Sequence, residues 1–319
     1  MDWKTIDADL ACIDVRDSTY RITTARKIEP LAASIGVTGL LNAPLIAPSG
    51  RERYIVVAGF RRVEACRLLK MQRIAARCMH ADTPPGRLAE IAVADNTGQR
   101  PLNLVESSRA LRLLRHHIQD ERRFGEVCRK LGLPMNPSMA AKVAGICQMA
   151  DPIQEAVLKG VVTLTCALEL DSLGRDTGAT LATLFVDLHC SQSTQREILA
   201  NLREISARDD IDVYGLLQDP RLQELITASD EDRNLRLQKV RNHFRTKRYP
   251  RLSLAEKQFL ETTRTLSLGD NIRLQAPAGF ESGEYLFKLR VSTMADMRAC
   301  IGSLERTLEN PSLKKILKQ

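Results

Sequence analysis

Residues 54–69 read YIVVAGFRRVEACRLL. A run of strand formers reaches Gly59, and Arg61 and Arg62 follow where a helix is predicted to begin. Glycine lets the backbone approach a ligand closely, and two guanidinium groups beside helix amides suit an anion, most obviously a phosphate. The same residues fit a strand–turn–helix junction with solvated arginines, so the stretch alone leaves both readings open.

Outward from this junction, the first hundred residues alternate between strand and helix. Ile28, Leu31 and Ile35 recur at helical spacing, Pro30 is tolerated in a first turn, and Gly36 and Gly39 punctuate the end. APLIA and RYIVV flank PSGR, which predicts two strands and a turn. Residues 60–70 are predicted helical, RIAARCM a strand, and 85–94 helical again. Residues 1–100 thus form a small mixed α/β domain.

After Arg100 the strand patterns stop, and residues 101–232 read as an all-helical middle domain. Asn103 with Glu106 predicts a capping box, after which Leu111, Leu114 and Ile118 share a face. Asn136-Pro137, Asp151-Pro152 and Ser193 mark further helix starts. Residues 233–319 comprise a basic linker helix and a small α/β module. In that module NIRLQAP and EYLFKLRV form a hairpin around AGFESG, and TMADMRACIGSLERTL an amphipathic helix with Met297, Ile301, Leu304 and Leu308 on one side. The fold class is α+β.

The chain has 319 residues, enough for two or three domains with cores, and its net charge of +8 favours anionic partners, nucleic acid first. Aromatics at 4% supply a single-strand stacking platform poorly. None of the 8 cysteines forms a C-x-x-C pair, and the five histidines make no zinc constellation, which points to buried thiols in a reducing compartment. The amino terminus lacks a signal peptide's basic and apolar regions, and no apolar run approaches membrane-spanning length. A soluble cytoplasmic protein is expected.

Two segments suit DNA. In EVCRKLGLPMNPSMAAKVAGIC (126–147) one helix ends at Leu131-Gly132, and a second begins at Asn136-Pro137 after a short turn. Small residues at 140, 141 and 143 would let the second helix pack closely, leaving Ser138, Met139 and Lys142 outward. That is the rhythm of a helix-turn-helix, and also of any ordinary packed helix pair. Residues 233–251, RNLRLQKVRNHFRTKRYPR, hold eight arginines or lysines and no acid. A solvated helix face and a phosphate-contacting surface both fit; Arg241, Arg245, Lys247 and Arg248 are the candidate contacts.

Taken in order, LAASIGVTGLLNAPLIA, YIVVAGFRRVEA, AVADNTGQRPLNLVESSRAL and the helix pair resemble the ParB family of chromosome and plasmid partition proteins. KGVVTLTCALELDSL (159–173) also looks like the helix after that family's DNA-binding motif, and the resemblance spans roughly 13–210. It implies an amino-terminal switch that binds CTP with Mg2+ and closes as a clamp on double-stranded DNA. The family's G-E-R-R-x-x-A signature falls on Gly59, Phe60, Arg61, Arg62 and Ala65, which makes Gly59, Arg61 and Arg62 the implied phosphate-binding residues. E-N-x-x-R falls on Asp95, Asn96 and Gln99, with Arg100 one place late. Asp95 and Asn96 offer oxygens to Mg2+ or nucleotide, and Asp95 could orient a water; a polar turn at a helix end reads the same way.

Phenylalanine at position 60 can neither accept a proton nor hold magnesium through water, so the resemblance implies at most weak CTPase activity. A homodimer is expected, associated with the nucleoid. The resemblance also implies a ParA-type ATPase as partner; the basic peptide that stimulates it would precede the fold, and little sequence precedes Ile13, which weakens that expectation. The alternatives are a helix-turn-helix regulator without nucleotide dependence and, more remotely, a nuclease using Asp95, Glu90 and Asp82. Sulfiredoxin chemistry lacks its cysteine at the phosphate turn, since Cys66 lies well into the helix.

Overall fold

A computed structural model describes residues 3–133, 136–228, 231–280 and 283–317. They fall into two compact units, Met1–Gln192 and Ser193–Gln319.

The first unit begins with five strands, β1 (Trp3–Asp9), β2 (Ile13–Asp14), β3 (Leu45–Pro48), β4 (Tyr54–Ala58) and β5 (Arg73–Met79), in the order β1-β5-β3-β4-β2. β1 runs antiparallel to β5, β5 parallel to β3, β3 antiparallel to β4, and β2 parallel to β4. Thr5, Arg77, Leu45 and Ala58 lie in register across four of them. The helices between are α1 (Glu29–Thr38), α2 (Phe60–Leu68) and α3 (Pro85–Thr97). Ile46, Val57, Val63, Cys66, Ala89 and Val93 are fully buried, and these strands and helices hold one core. The mixed α/β domain expected from the sequence is present. Sequence patterning had not shown β1, an edge strand of mostly exposed residues, or the two-residue β2.

A helical region follows: α4 (Leu104–His117), α5 (Glu121–Lys130), α6 (Pro137–Ala144), α7 (Asp151–Leu158), α8 (Leu164–Ser172) and α9 (Arg175–Asp187). The capping box of α4 forms as read, the Asn103 side chain accepting from the Glu106 N–H at 2.9 Å. Leu111, Leu114 and Ile118 are buried. α5 ends with Gly132 at φ 68°, the left-handed conformation that lets the Leu133 N–H return to the Cys128 carbonyl at 2.9 Å. Pro134 and Met135, in the turn before α6, lie outside the described residues. Of the three small positions on α6, Val143 alone is fully buried; Ala141 is exposed.

The second unit comprises α10 (Gln192–Asp209), α11 (Val213–Leu217), α12 (Pro220–Thr227), α13 (Arg233–Arg248), α14 (Pro250–Thr265), β6 (Ile272–Gln275), β7 (Leu286–Leu289), α15 (Met294–Leu308) and α16 (Pro311–Leu317). β6 and β7 pair antiparallel as expected; Glu281 and Ser282 of the connecting turn lie outside the described residues. The predicted apolar side of α15 does not pack as one. Cys300 and Leu304 join a core with Ile272, Leu274, Leu313 and Ile316, whereas Met294, Met297, Ile301 and Leu308 are 72, 37, 44 and 61% exposed.

Among the described residues no helix is long and apolar enough to cross a membrane, and no group of three or more His, Cys, Asp or Glu side chains could hold a metal. All eight cysteines are free thiols, and burial pushes Cys66, Cys78 and Cys128 above the usual thiol range.

Candidate nucleotide and nucleic-acid sites

β4 delivers the chain to Gly59, which stands at the start of α2 with φ 90°. A Cβ at this position would lie 2.9 Å from the Arg62 guanidinium carbon, so both the turn and the neighbouring cation require glycine. No side chain caps the start of α2. Arg62 Nη1 donates to the carbonyls of Asn42 and Ala43, each at 3.1 Å, and Nη2 reaches the Asp95 carboxylate at 3.4 Å. Arg61 Nη2 donates to the Lys27 carbonyl at 2.8 Å, while its Nε is buried with no partner. An orphaned guanidinium N–H beside an uncapped helix start suits an anion, because phosphate oxygens could satisfy both.

Asp95 and Asn96 sit in the last turn of α3. Gln99 Nε2 donates to Asp95 Oδ2 at 3.0 Å, and Asn96 Nδ2 donates to the Ala92 carbonyl at 2.8 Å, which leaves the Asn96 amide oxygen facing outward from that bond. Gly59, Arg61, Arg62, Asp95, Asn96, Gln99 and Arg100 therefore line one hollow of about 1100 Å³. The residues that the sequence linked across 40 positions converge there. Asp95 and Asn96 could offer two oxygens to Mg2+, with nucleotide oxygens and water completing its shell.

Phe60 shares the wall of this hollow but is only 4% exposed, with the Arg21 guanidinium 5.5 Å from its ring centre. Arg21 is itself held by Glu64 at 2.6 Å. Arg100 lines the hollow while donating twice to Glu106 at 2.7 Å. Glu106 is fully buried and also accepts from the Thr24 N–H and hydroxyl. Burial alone would raise its carboxyl; the hydrogen bonds from Arg100, Thr24 and Asn103 and the Arg100 charge outweigh that and bring it down to about 2.

Sequence reasoning missed the far wall, where Trp3 and Arg77 meet, the guanidinium lying 5.4 Å from the indole centre. The sheet register could have revealed it, had β1 been legible. Of the carboxylates considered for nuclease work, Glu90 is engaged by Arg87 at 2.8 Å and Arg123 at 3.6 Å.

Ser138, Met139 and Lys142 are exposed on α6, with Asn136 capping the helix from Oδ1 to the Ser138 N–H at 3.0 Å. The basic run on α13 differs from its sequence appearance. Arg241 pairs with Glu197 at 2.6 Å, Arg245 with Glu256 at 2.6 Å, and Lys247 with Asp219 at 2.5 Å. Arg248 pairs with Glu204 and donates to Asn201 at 2.8 Å. The acids absent from the run itself are supplied by α10, α14 and the residue before α12.

The first unit is thus a mixed α/β domain with an arginine-lined hollow, followed by a helical region. Residues 9–97 match the model of the ParB N-terminal domain. The chain is 25% identical over 228 residues to the probable chromosome-partitioning protein ParB of Helicobacter pylori (strain ATCC 700392 / 26695), covering 71% of this chain and 74% of that protein. Similar solved structures include C-terminally truncated ParB from Caulobacter crescentus complexed with CTP-gamma-S, at 21% identity, 57% of this chain, 99% of that one and a TM-score of 0.27. The same protein complexed to the centromeric parS site gives 19% identity, 60 and 96% coverage and a TM-score of 0.34.

Proposed function

We propose that this protein is a CTP-binding, DNA-binding partition protein that works on the nucleoid as a homodimer. Gly59, Arg61, Arg62 and Asn96 hold the nucleotide phosphates, with Asp95 and Asn96 as the protein's oxygens for Mg2+. The observation that carries this reading is the convergence of these residues on one hollow in which the Arg61 Nε is buried and unpartnered. Bound Mg2+ supplies charge neutralisation at the phosphates. The chain's part is to position: Arg62 is fixed by three acceptors, Gly59 opens the approach, and the Arg61 and Arg62 charges offset those of the phosphates.

Hydrolysis is weak or absent, because Phe60 brings no carboxylate to the phosphate turn and Asp95 is the sole candidate at hand to orient a water. α5 and α6 act as the helix-turn-helix, with Ser138, Met139 and Lys142 toward the bases. Segments 1–100, 101–232 and 233–319 divide the work between nucleotide, DNA and self-association, the last through the exposed apolar residues of α15.

The test is a binding titration of purified protein with each ribonucleoside triphosphate and Mg2+, with and without DNA, phosphate release being read alongside. Selective CTP binding without rapid phosphate release is expected. Binding of no nucleotide, with duplex affinity intact, would replace this reading by a nucleotide-independent DNA-binding regulator, for which the Arg62–Asp95 contact and Phe60 already speak.

A further inference from the structure

A second hollow, of about 1550 Å³, opens in the first unit between residues 18–27, α4, the carboxyl-terminal part of α6 and the start of α7. Its charge is unlike that of α13. Arg26 and Lys27 are exposed on its wall and make no ion pair among the described residues. Arg109 is held only by neutral carbonyls, those of Ile22 at 3.4 Å and Thr23 at 3.0 Å. Arg112 faces the neutral amide of Gln148, whose oxygen, in the orientation that satisfies both groups, accepts from Nη1 at 2.6 Å. Two more arginines, Arg21 and Arg115, are neutralised by Glu64 and Glu121. The acids on the wall are Asp151 and Glu155; Lys159 holds Glu155 at 2.8 Å, and the Arg26 charge acts on the same carboxylate from farther off.

We propose that this hollow seats the sugar–phosphate backbone of duplex DNA beside α6, through Arg26, Lys27, Arg109 and Arg112. The proposal rests on α6 being the helix that faces DNA. Ala141 and Gly145 line the hollow, and Ser138 and Lys142 share their stripe at three- and four-residue spacing, so the outward face of α6 runs into it. A helix in a major groove roughly 12 Å wide has phosphates on both flanks, and cations beside such a helix meet them. The hollow is open and far larger than one phosphate, and its cations are spread over two walls rather than gathered at a point. That distribution fits a strand better than a small anion. It also relocates the backbone contacts from Arg241, Arg245, Lys247 and Arg248 of α13, which are ion-paired, to Arg26, Lys27, Arg109 and Arg112, which make no ion pair among the described residues.

The experiment is fluorescence anisotropy of the full chain on a random-sequence duplex across a salt series, with wild type, Arg26→Ala/Lys27→Ala, Arg112→Ala, Arg26→Lys, and Arg245→Ala/Arg248→Ala. Thermal melts confirm that each variant is folded. The hollow variants should lose affinity on every duplex, with the logarithmic salt slope shallower by about 2 for the double change and about 1 for Arg112→Ala. Arg26→Lys should keep the wild-type slope. Unchanged slopes in the hollow variants, or a loss confined to the α13 variant, overturn the proposal. Inorganic phosphate or free CTP binding that depends on Arg26 and Lys27, with duplex affinity unchanged, also overturns it in favour of a small-anion site. Lys142→Ala on a selected specific duplex separates the two readings. An effect there without one in the hollow leaves α6 in place and removes the backbone site; an effect in the hollow alone removes α6. Absence of duplex binding by the wild type at low salt removes both.

Discussion

Gly59 carries two demands at once, a positive φ and room for the Arg62 guanidinium, and in the proposed function a third, a short path for phosphate. Gly59→Ala should therefore lower CTP affinity more than stability, the strained backbone costing about 1–2 kcal/mol. Arg61→Ala and Arg62→Ala should each remove nucleotide-dependent behaviour while the protein stays folded, since a charge-assisted bond contributes about 1.5–3 kcal/mol, or roughly 10- to 150-fold in affinity. Calorimetric titration with CTP checks all three, and full CTP affinity in both arginine variants would refute the phosphate assignment. Glu106 provides a pH test. Its folded carboxyl is depressed to about 2 from 4.5, so its stabilisation is complete above 4.5 and is lost as pH falls toward 2. The difference amounts to on the order of 3 kcal/mol, and Glu106→Gln should flatten the acid limb of a stability–pH curve. The sequence displayed Gly59, Arg61 and Arg62 because they are consecutive around one turn. It showed Glu106 only as a cap; that the same carboxylate also holds Thr24 and Arg100 depends on a contact 82 positions apart.

At the scale of elements, helices whose start signals are local were legible: α4 from Asn103 and Glu106, α6 from Asn136 and Pro137. Asn136→Ala should cost about 1 kcal/mol and weaken site-specific DNA binding with it, as a melt and a binding isotherm would record. β1 was not legible, because its exposed residues lack a buried alternation and its strand character comes from seven partners on β5. α13 misled for a related reason. The acids that pair with Arg241, Arg245, Lys247 and Arg248 lie 11 to 44 residues away, so these four looked uncompensated in one dimension and are paired in three. Such surface pairs contribute roughly 0–1 kcal/mol each, and their larger effect is to leave less charge for phosphate. The packing of α8 on α9 depends on Gly178, where a Cβ would stand 2.4 Å from the Leu170 carbonyl oxygen. Gly178→Ala should lower stability by about 1–3 kcal/mol or more, with a depressed melting temperature and CTP binding retained below it.

For the whole molecule, the exposed side of α15 is the feature its sequence periodicity misplaced: the stripe is real, but Cys300 and Leu304 turn inward while Met297, Ile301 and Leu308 remain outside. Exposed apolar residues gathered on one helix mark an association surface. For the proposed homodimer, Ile301→Glu should yield a monomer in sedimentation velocity without loss of fold, and an unchanged sedimentation coefficient would remove α15 from the proposed interface. One feature of the first unit reaches further. The only tryptophan in 319 residues is Trp3, on the wall of the hollow lined by Gly59, Arg61 and Arg62, with Arg77 against its ring. Indole emission from this protein is therefore light from a single place. A nucleotide that displaces Arg77 or shields the ring would change its intensity and colour, so occupancy of the hollow could be followed in real time on the unlabelled chain.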